Sequence, residues 1–156
     1  MPTNLTQNLN YLSPLGFRLA INNQLFANVE YFCVSVSLPG INLPEVPVPF
    51  RGSQHAVGGD RIDYPYLDIR FIVSENMENY LEMYNWIKRT HANDKPEVHD
   101  ATLSILSSHQ RVSRQIRYTG IFPVAMDSFE MNVQSTDVDY VTCGVTFRYT
   151  YHEFAK

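Results

Sequence analysis

Three runs of this chain alternate apolar and polar residues with a period of two, and that alternation is what most restricts its fold. Phe17, Leu19 and Ile21 alternate with Arg18, Ala20 and Asn22; Leu67, Ile69, Phe71 and Val73 alternate with Tyr66, Asp68, Arg70 and Ile72. The last run sets Val141, Cys143, Val145, Phe147, Tyr149 and Tyr151 against Tyr140, Thr142, Gly144, Thr146, Arg148 and Thr150. Successive side chains of a strand point to opposite faces, so each run reads as a half-buried strand, the last being the longest. Val29 to Ser37 reads as a further strand with weakly distinguished faces. Ala101–Ser107, Arg114–Phe122 and Phe129–Gln134 read as shorter ones. The 10 Tyr and 9 Phe in 156 residues agree with a β-rich chain.

Only one segment carries a clear helical pattern. Ser74 is placed to cap it, Glu75 and Glu78 lie in its first turn, and Lys88 and Arg89 lie in its last, the charge order a helix dipole favours. Met77, Tyr80, Leu81, Tyr84 and Ile87 fall at helical spacing and predict the stripe that docks on a sheet. Glu75, Glu78 and Glu82 read as a solvated face. Between Pro39 and Pro65 the chain carries Pro44, Pro47 and Pro49 with Gly40, Gly52, Gly58 and Gly59, a density of breakers that excludes a helix and any central strand. This stretch is a long loop or an extended hairpin arm, stiffened by its prolines, and long loops inside a domain usually serve a contact or a ligand. The fold class is thus mainly β with one helix (α+β): an antiparallel β-barrel or sandwich with a flanking helix and a long extended loop. The Asn-rich residues 1–13 form an N-terminal arm, and residues 14–156 form a single domain.

Several functions are disfavoured by what the chain contains. A formal net charge of -4 argues against gripping nucleic acid, which needs an excess of Lys and Arg over phosphates. Cys33 and Cys143 are too far apart in sequence for a metal-binding pair, and a disulfide would require adjacent strands in register; free thiols are expected. His55, His91, His99, His109 and His152 show no ligand spacing and read as surface residues. No Gly-x-Ser-x-Gly elbow accompanies the scattered Ser, His and Asp residues. Gly58-Gly59-Asp60-Arg61 reads as a tight turn, since no helix follows it to hold a phosphate. No catalytic residue, cofactor site or metal site is therefore assigned. No apolar run approaches a membrane span, and Met1 to Asn10 lack the pattern of a secretion signal, so a cytosolic origin is expected.

The order of segments resembles the tail tube family of contractile bacteriophages. The residues that carry the resemblance are Ser37-Leu38-Pro39-Gly40 ending a strand, Val46-Pro47-Val48-Pro49-Phe50-Arg51-Gly52, and the turn Gly59-Asp60-Arg61. Leu67 to Val73, a helix ending near Tyr84-Asn85-Trp86-Ile87, and Tyr118-Thr119-Gly120-Ile121-Phe122-Pro123 before a last long strand complete it, over roughly residues 15 to 152. Membership would imply a structural subunit rather than an enzyme. Its sheets would join edge to edge into a ring-shaped barrel, hexameric rings would stack into a tube, and the lumen would hold a tape measure protein and later conduct DNA. Implied partners are further copies of the chain, the tail sheath, the tape measure, baseplate and tail terminator proteins, and DNA in non-specific transit, within a virion assembled in the host cytoplasm. The lumen would be lined by Arg18, Asp68, Arg70, Thr142, Thr146 and Arg148. Contacts between subunits would use Pro39, Gly40, Pro47, Pro49, Phe50, Arg51, Asp60 and Arg61. A tube-initiating baseplate protein, a neck, capsid or terminator adaptor of the same fold, and a monomeric domain that binds a partner through its proline-rich loop are the alternatives.

Overall fold

The computed structural model describes residues 11–21, 26, 29, 32–93, 95, 97–134 and 139–155. Strands β1 (Phe17–Ile21), β2 (Cys33–Ser37) and β5 (Leu67–Ile72) form at runs read as strands in the sequence, with a hairpin of β3 (Glu45–Phe50) and β4 (Ser53–Gly58) between the last two. Helix α1 (Glu78–Ala92) follows, and then β6 (His99–Leu106), β7 (Val112–Met126), β8 (Thr142–Arg148) and β9 (Tyr151–Ala155). All pairings are antiparallel, in the order β1-β6-β7-β8-β5-β2, with β9 also on β7. The sheet does not close into a barrel: β1 and β2 are its two ends.

Strand β7 is the corner of the structure. Its first half pairs with β6 and β9, and its second half, from Phe122 onward, pairs with β8. Gly120 lies at the change, in the left-handed region at φ 67°. A Cβ there would stand 2.8 Å from Thr150 Oγ1, so the bend needs glycine for both conformation and space. The same corner interrupts the predicted last strand. Tyr149 and Thr150 leave the ladder, Thr150 N–H donates to Thr119 O, and β9 pairs beside β8 instead of extending it. Alternation cannot reveal this, because the apolar positions continue in phase through the corner.

Inward residues of the two halves form one core: Leu19, Ile21, Leu103, Ile116 and Tyr118 on one side, Leu67, Ile69, Phe71, Val145 and Phe147 on the other. Helix α1 covers it with Asn79, Met83 and Trp86, a stripe spaced i, i+4, i+7. The predicted stripe is off by about one residue, since Leu81 and Tyr84 are exposed. Its inward row begins with a polar residue that no apolar pattern could include. The Asn79 amide donates to Ile72 O at 2.7 Å and accepts from Ser74 N–H at 3.1 Å, fastening strand β5 to the helix. Ser74 is therefore part of a turn before the helix, and Met77, in the left-handed region at φ 56°, takes the N-cap position without a side-chain cap. Trp86 is fully buried, stacks on Phe26 at 4.5 Å and donates from Nε1 to Glu97 O at 2.9 Å.

Three further expectations change. Phe129–Gln134 is not a strand but an irregular connection after β7; Phe129 packs against the core, its ring edge-on to Tyr80. Strand β2 carries a bulge between Cys33 and Ser35, which turns both Cys33 and Val36 toward the core and explains its poorly distinguished faces. Residues 30 and 31 of the strand predicted from Val29 lie outside the described residues, as do residues 1–10 of the predicted N-terminal arm. Cys33 and Cys143 both stand opposite Phe71, one on each side of β5. Two strand spacings, about 9–10 Å, separate them, beyond the reach of a disulfide. Desolvation pushes the Cys33 thiol up to about 11.

Candidate functional site

Two surfaces gather the residues singled out in the sequence: the arm and the outward face of the β5–β8 sheet. The arm is the β3–β4 hairpin, the second of the two forms the sequence allowed. Its registry runs from Glu45 opposite Gly58 to Phe50 opposite Ser53, closed by Arg51 and Gly52. Gly52 has φ 83°, the conformation a type II turn requires at its second central residue. With Phe50 and Ser53 as the closing pair, Val46 and Val48 turn their backbone groups toward β4. Pro47 and Pro49 turn theirs outward, where a missing N–H costs no ladder bond and gives an incoming strand no donor. Val46, Val48, Phe50 and Val57 share one face. Every residue of both strands is exposed, Phe50 at 72%.

The arm's root is held by backbone bonds rather than by a core. Asn42 N–H donates to Asp63 O at 3.1 Å, Asp63 N–H returns a bond to Asn42 O at 2.8 Å, and Gly59 N–H donates to Pro44 O at 2.7 Å. Pro47, Pro49, Phe50 and Arg51 therefore lie on the arm itself. Pro39, Gly40, Asp60 and Arg61 flank its root; Gly40, Asp60 and Arg61 are exposed and Pro39 is half-buried.

The outward sheet face gathers five of the six residues predicted to line a lumen. Asp68 stands opposite Thr146 and Arg70 opposite Gly144, with Thr142 and Arg148 on the same side of β8. Arg18 is not brought to them; it lies on β1, at the far end of the strand order, opposite Ser104. The charges of this face have partners. Thr146 Oγ1 donates to Asp68 Oδ1 at 2.7 Å, Arg70 Nη2 lies 3.6 Å from Asp127 Oδ2, and Arg148 Nη1 donates to Tyr64 O at 3.2 Å with its guanidinium over the Tyr66 ring. The Arg70–Asp127 pair is exposed on both sides and adds about 0–1 kcal/mol; its effect is to neutralise the surface. Asp127, Tyr64 and Tyr66 were not predicted for this site. Asp127 reaches it because Gly144 has no side chain: a Cβ there would collide with the carboxylate. A glycine inside an alternating strand was the one available signal.

Two of the histidines depart from the surface reading. His99 packs edge-on to Trp86 and Phe26, with Nε2 3.0 Å from Glu97 Oε1. The Arg89 hydrogen bond holds the Glu97 carboxyl below its ordinary range. His152 lies among Tyr64, Tyr118, Tyr149 and Phe154, with Nδ1 3.3 Å from the Tyr149 hydroxyl, and burial lowers its pKa. Both sit where a strand's inward face meets the sheet margin, which a polar flank in the sequence conceals. Among the described residues no group of three His, Cys, Asp or Glu could hold a metal ion, and no helix is long and apolar enough to cross a membrane.

Neither a scan against protein-family models nor a search among curated proteins gives a match. Solved structures do match, over nearly the whole chain. One is a chain of the PVC sheath–tube complex of an extracellular contractile injection system in its extended state: TM-score 0.76, 15% identity, covering 94% of this chain and 93% of that one. Another belongs to the tube-terminating cap of the anti-feeding prophage: TM-score 0.76, 16% identity, covering 99% and 97%. Hcp1 from Flavobacterium johnsoniae matches with TM-score 0.56 at 11% identity, covering 92% and 94%. The fold is therefore that of the contractile tail tube proteins, the class that the order of segments resembled.

Proposed function

We propose that this chain is a structural subunit of the tube of a contractile, phage-tail-like particle, and that it works by assembly, with no catalytic step. The observation that carries the reading is the mutual coverage with the chain from the sheath–tube complex, 94% and 93% at TM-score 0.76. The two chains share one fold over almost their whole length. Copies join through their open sheet margins into hexameric rings, which removes the exposed edges. The rings stack through the arms, with Phe50 and Arg51 as anchors and Pro39, Gly40, Pro47, Pro49, Asp60 and Arg61 around them. The outward face with Asp68, Arg70, Thr142, Thr146 and Arg148 lines the lumen, while Arg18 lies apart from them on β1. Its paired charges let a tape measure protein and then DNA pass without being held. A sheath surrounds the tube, and baseplate and terminator proteins end it, in a virion assembled in the host cytoplasm.

A second reading has its own support. The match to the tube-terminating cap is as strong, at TM-score 0.76 and with coverage of 99% and 97%, and a cap subunit would form one ring that never stacks. Negative-stain electron microscopy of the purified chain, with light scattering on the same sample, separates the two. Long hollow tubes support the repeating subunit, and single rings support the terminator. A chain that stays monomeric at high concentration overturns both and favours a domain that binds a partner through its arm.

A further inference from the structure

The arm leaves the sheet at one end of its strands, and an apolar cleft opens at the other. Ser37 of β2, Leu67 of β5 and Arg148 of β8 mark the arm's end. Phe32, Val73 and Val141 mark the opposite end, where Ile72 N–H donates to Phe32 O and Val73 N–H to Val141 O. The six residues of β5 between them span about 20 Å. The cleft encloses about 520 Å³. Its floor is Phe32, Val73, Met77, Phe129, Met131 and Tyr140, of which Met131 and Tyr140 are 71% and 75% exposed. Methionines let such a floor adapt to an inserted ring. The charged residues of its lining are Glu75 and Asp139, both acidic and both exposed.

The arm's tip is the complement of this cleft. It presents Phe50 with Arg51, and between Val46 and Gly58 the arm has no carboxylate. The arm's residues are exposed throughout, so it does not fold back on its own body. We propose that Phe50 of one copy inserts into the cleft of a second copy in the next ring, while Arg51 pairs with Glu75 and Asp139 at the rim. Donor and acceptor lie at opposite ends of the same strands, so the contact is head to tail. Repeated without closing, such a contact produces a filament and gives it a direction. An aromatic residue in an apolar socket, flanked by an Arg–carboxylate pair, has the make-up of interface residues that dominate association. The inference rests on the tube reading and names the site within it that receives the arm.

Charge reversal tests it on surface residues, with thermal unfolding of each variant as the control for folding. Arg51→Glu should shorten the tubes about tenfold or more, the scale on which one central interface residue acts. Glu75→Arg with Asp139→Arg should do the same, and the three substitutions together should restore tube length. A photo-reactive benzoylphenylalanine at position 50 should cross-link, within tubes, to peptides spanning residues 73–77 or 129–141 of another copy. Tubes of normal length from Glu75→Arg with Asp139→Arg, or cross-links elsewhere, overturn the inference while the tube reading stands. A parent chain that forms neither rings nor tubes removes the tube reading and this inference together.

Discussion

Gly120, on β7 facing the corner between β8 and β9, and His152, just after that corner, carry the most specific consequences at the scale of single residues. A Cβ at Gly120 would both occupy a left-handed conformation and press on Thr150 Oγ1. Gly120→Ala should therefore cost about 1–3 kcal/mol, seen as a lower unfolding midpoint in denaturant; an unchanged midpoint would show that the corner tolerates a side chain. His152 is lowered from its ordinary 6.5 by burial among Tyr64, Tyr118, Tyr149 and Phe154. As pH falls below 6.5 the unfolded chain takes up this proton before the folded one. The contribution is thus present above pH 6.5 and is lost as pH falls through the lowered folded value. Thermal midpoints measured from pH 8 to pH 5 should fall more steeply for the parent than for His152→Phe. Equal slopes would mean that another group governs the acid response.

At the scale of elements, the arm is separable from the fold. Its root is closed by the paired Asn42 and Asp63, and its strands bury nothing. Replacing residues 45–58 with a short Gly-Ser loop should change the unfolding temperature by no more than a few degrees and yet abolish tubes in electron micrographs. Tubes that persist without the arm would sink its assignment. Phe50→Ala with Arg51→Ala tests the same point with less change. Strands β1, β5 and β8 were legible in the sequence because each has one wet and one dry face, and the arm was legible because proline and glycine leave few other conformations. The helix was found but turned by about one position, since Asn79 faces inward for hydrogen bonds and not for burial. The corner at Tyr149–Thr150 and the bulge in β2 were not legible. Each is imposed by residues distant in sequence, Gly120 in one case and the β5 ladder in the other. The predicted strand at Phe129–Gln134 failed because three alternating apolar residues, Phe129, Met131 and Val133, do not say whether a partner strand exists.

At the scale of the whole molecule, the lining proposed for the tube is defined less by its charges than by their pairing. Asp68 accepts from Thr146, and Asp127 lies beside Arg70, which leaves little free positive potential on that wall. Asp68→Lys with Asp127→Lys should yield tubes that retain single-stranded DNA at low salt and release it as salt rises, because counterion release drives such binding. The parent tubes should retain none, and DNA binding unaffected by the two lysines would place this face away from the lumen. The residues proposed for the lumen and for the subunit contacts were named from alternation, breaker placement and the resemblance, whereas the partners of the charges on this face required the register of β5 on β8 and the positions of Tyr64 and Asp127.

The shared strand β7 also has a kinetic meaning. Because it pairs with β6 and β9 through one half and with β8 through the other, neither half of the sheet can finish before β7 is laid down. Strand β1 must wait longest: Phe17 is matched to Ile105, about 90 residues later, a delay of roughly 4–18 s at ordinary translation speeds of about 5–20 residues per second. During that interval β1 stands unpaired in every nascent copy. Long-range pairing of this kind folds slowly. Donor-free prolines on β3, a strand whose outer edge stays open after folding, thus guard yield as well as geometry, by denying neighbouring chains a template while the rest of the sheet is still being completed.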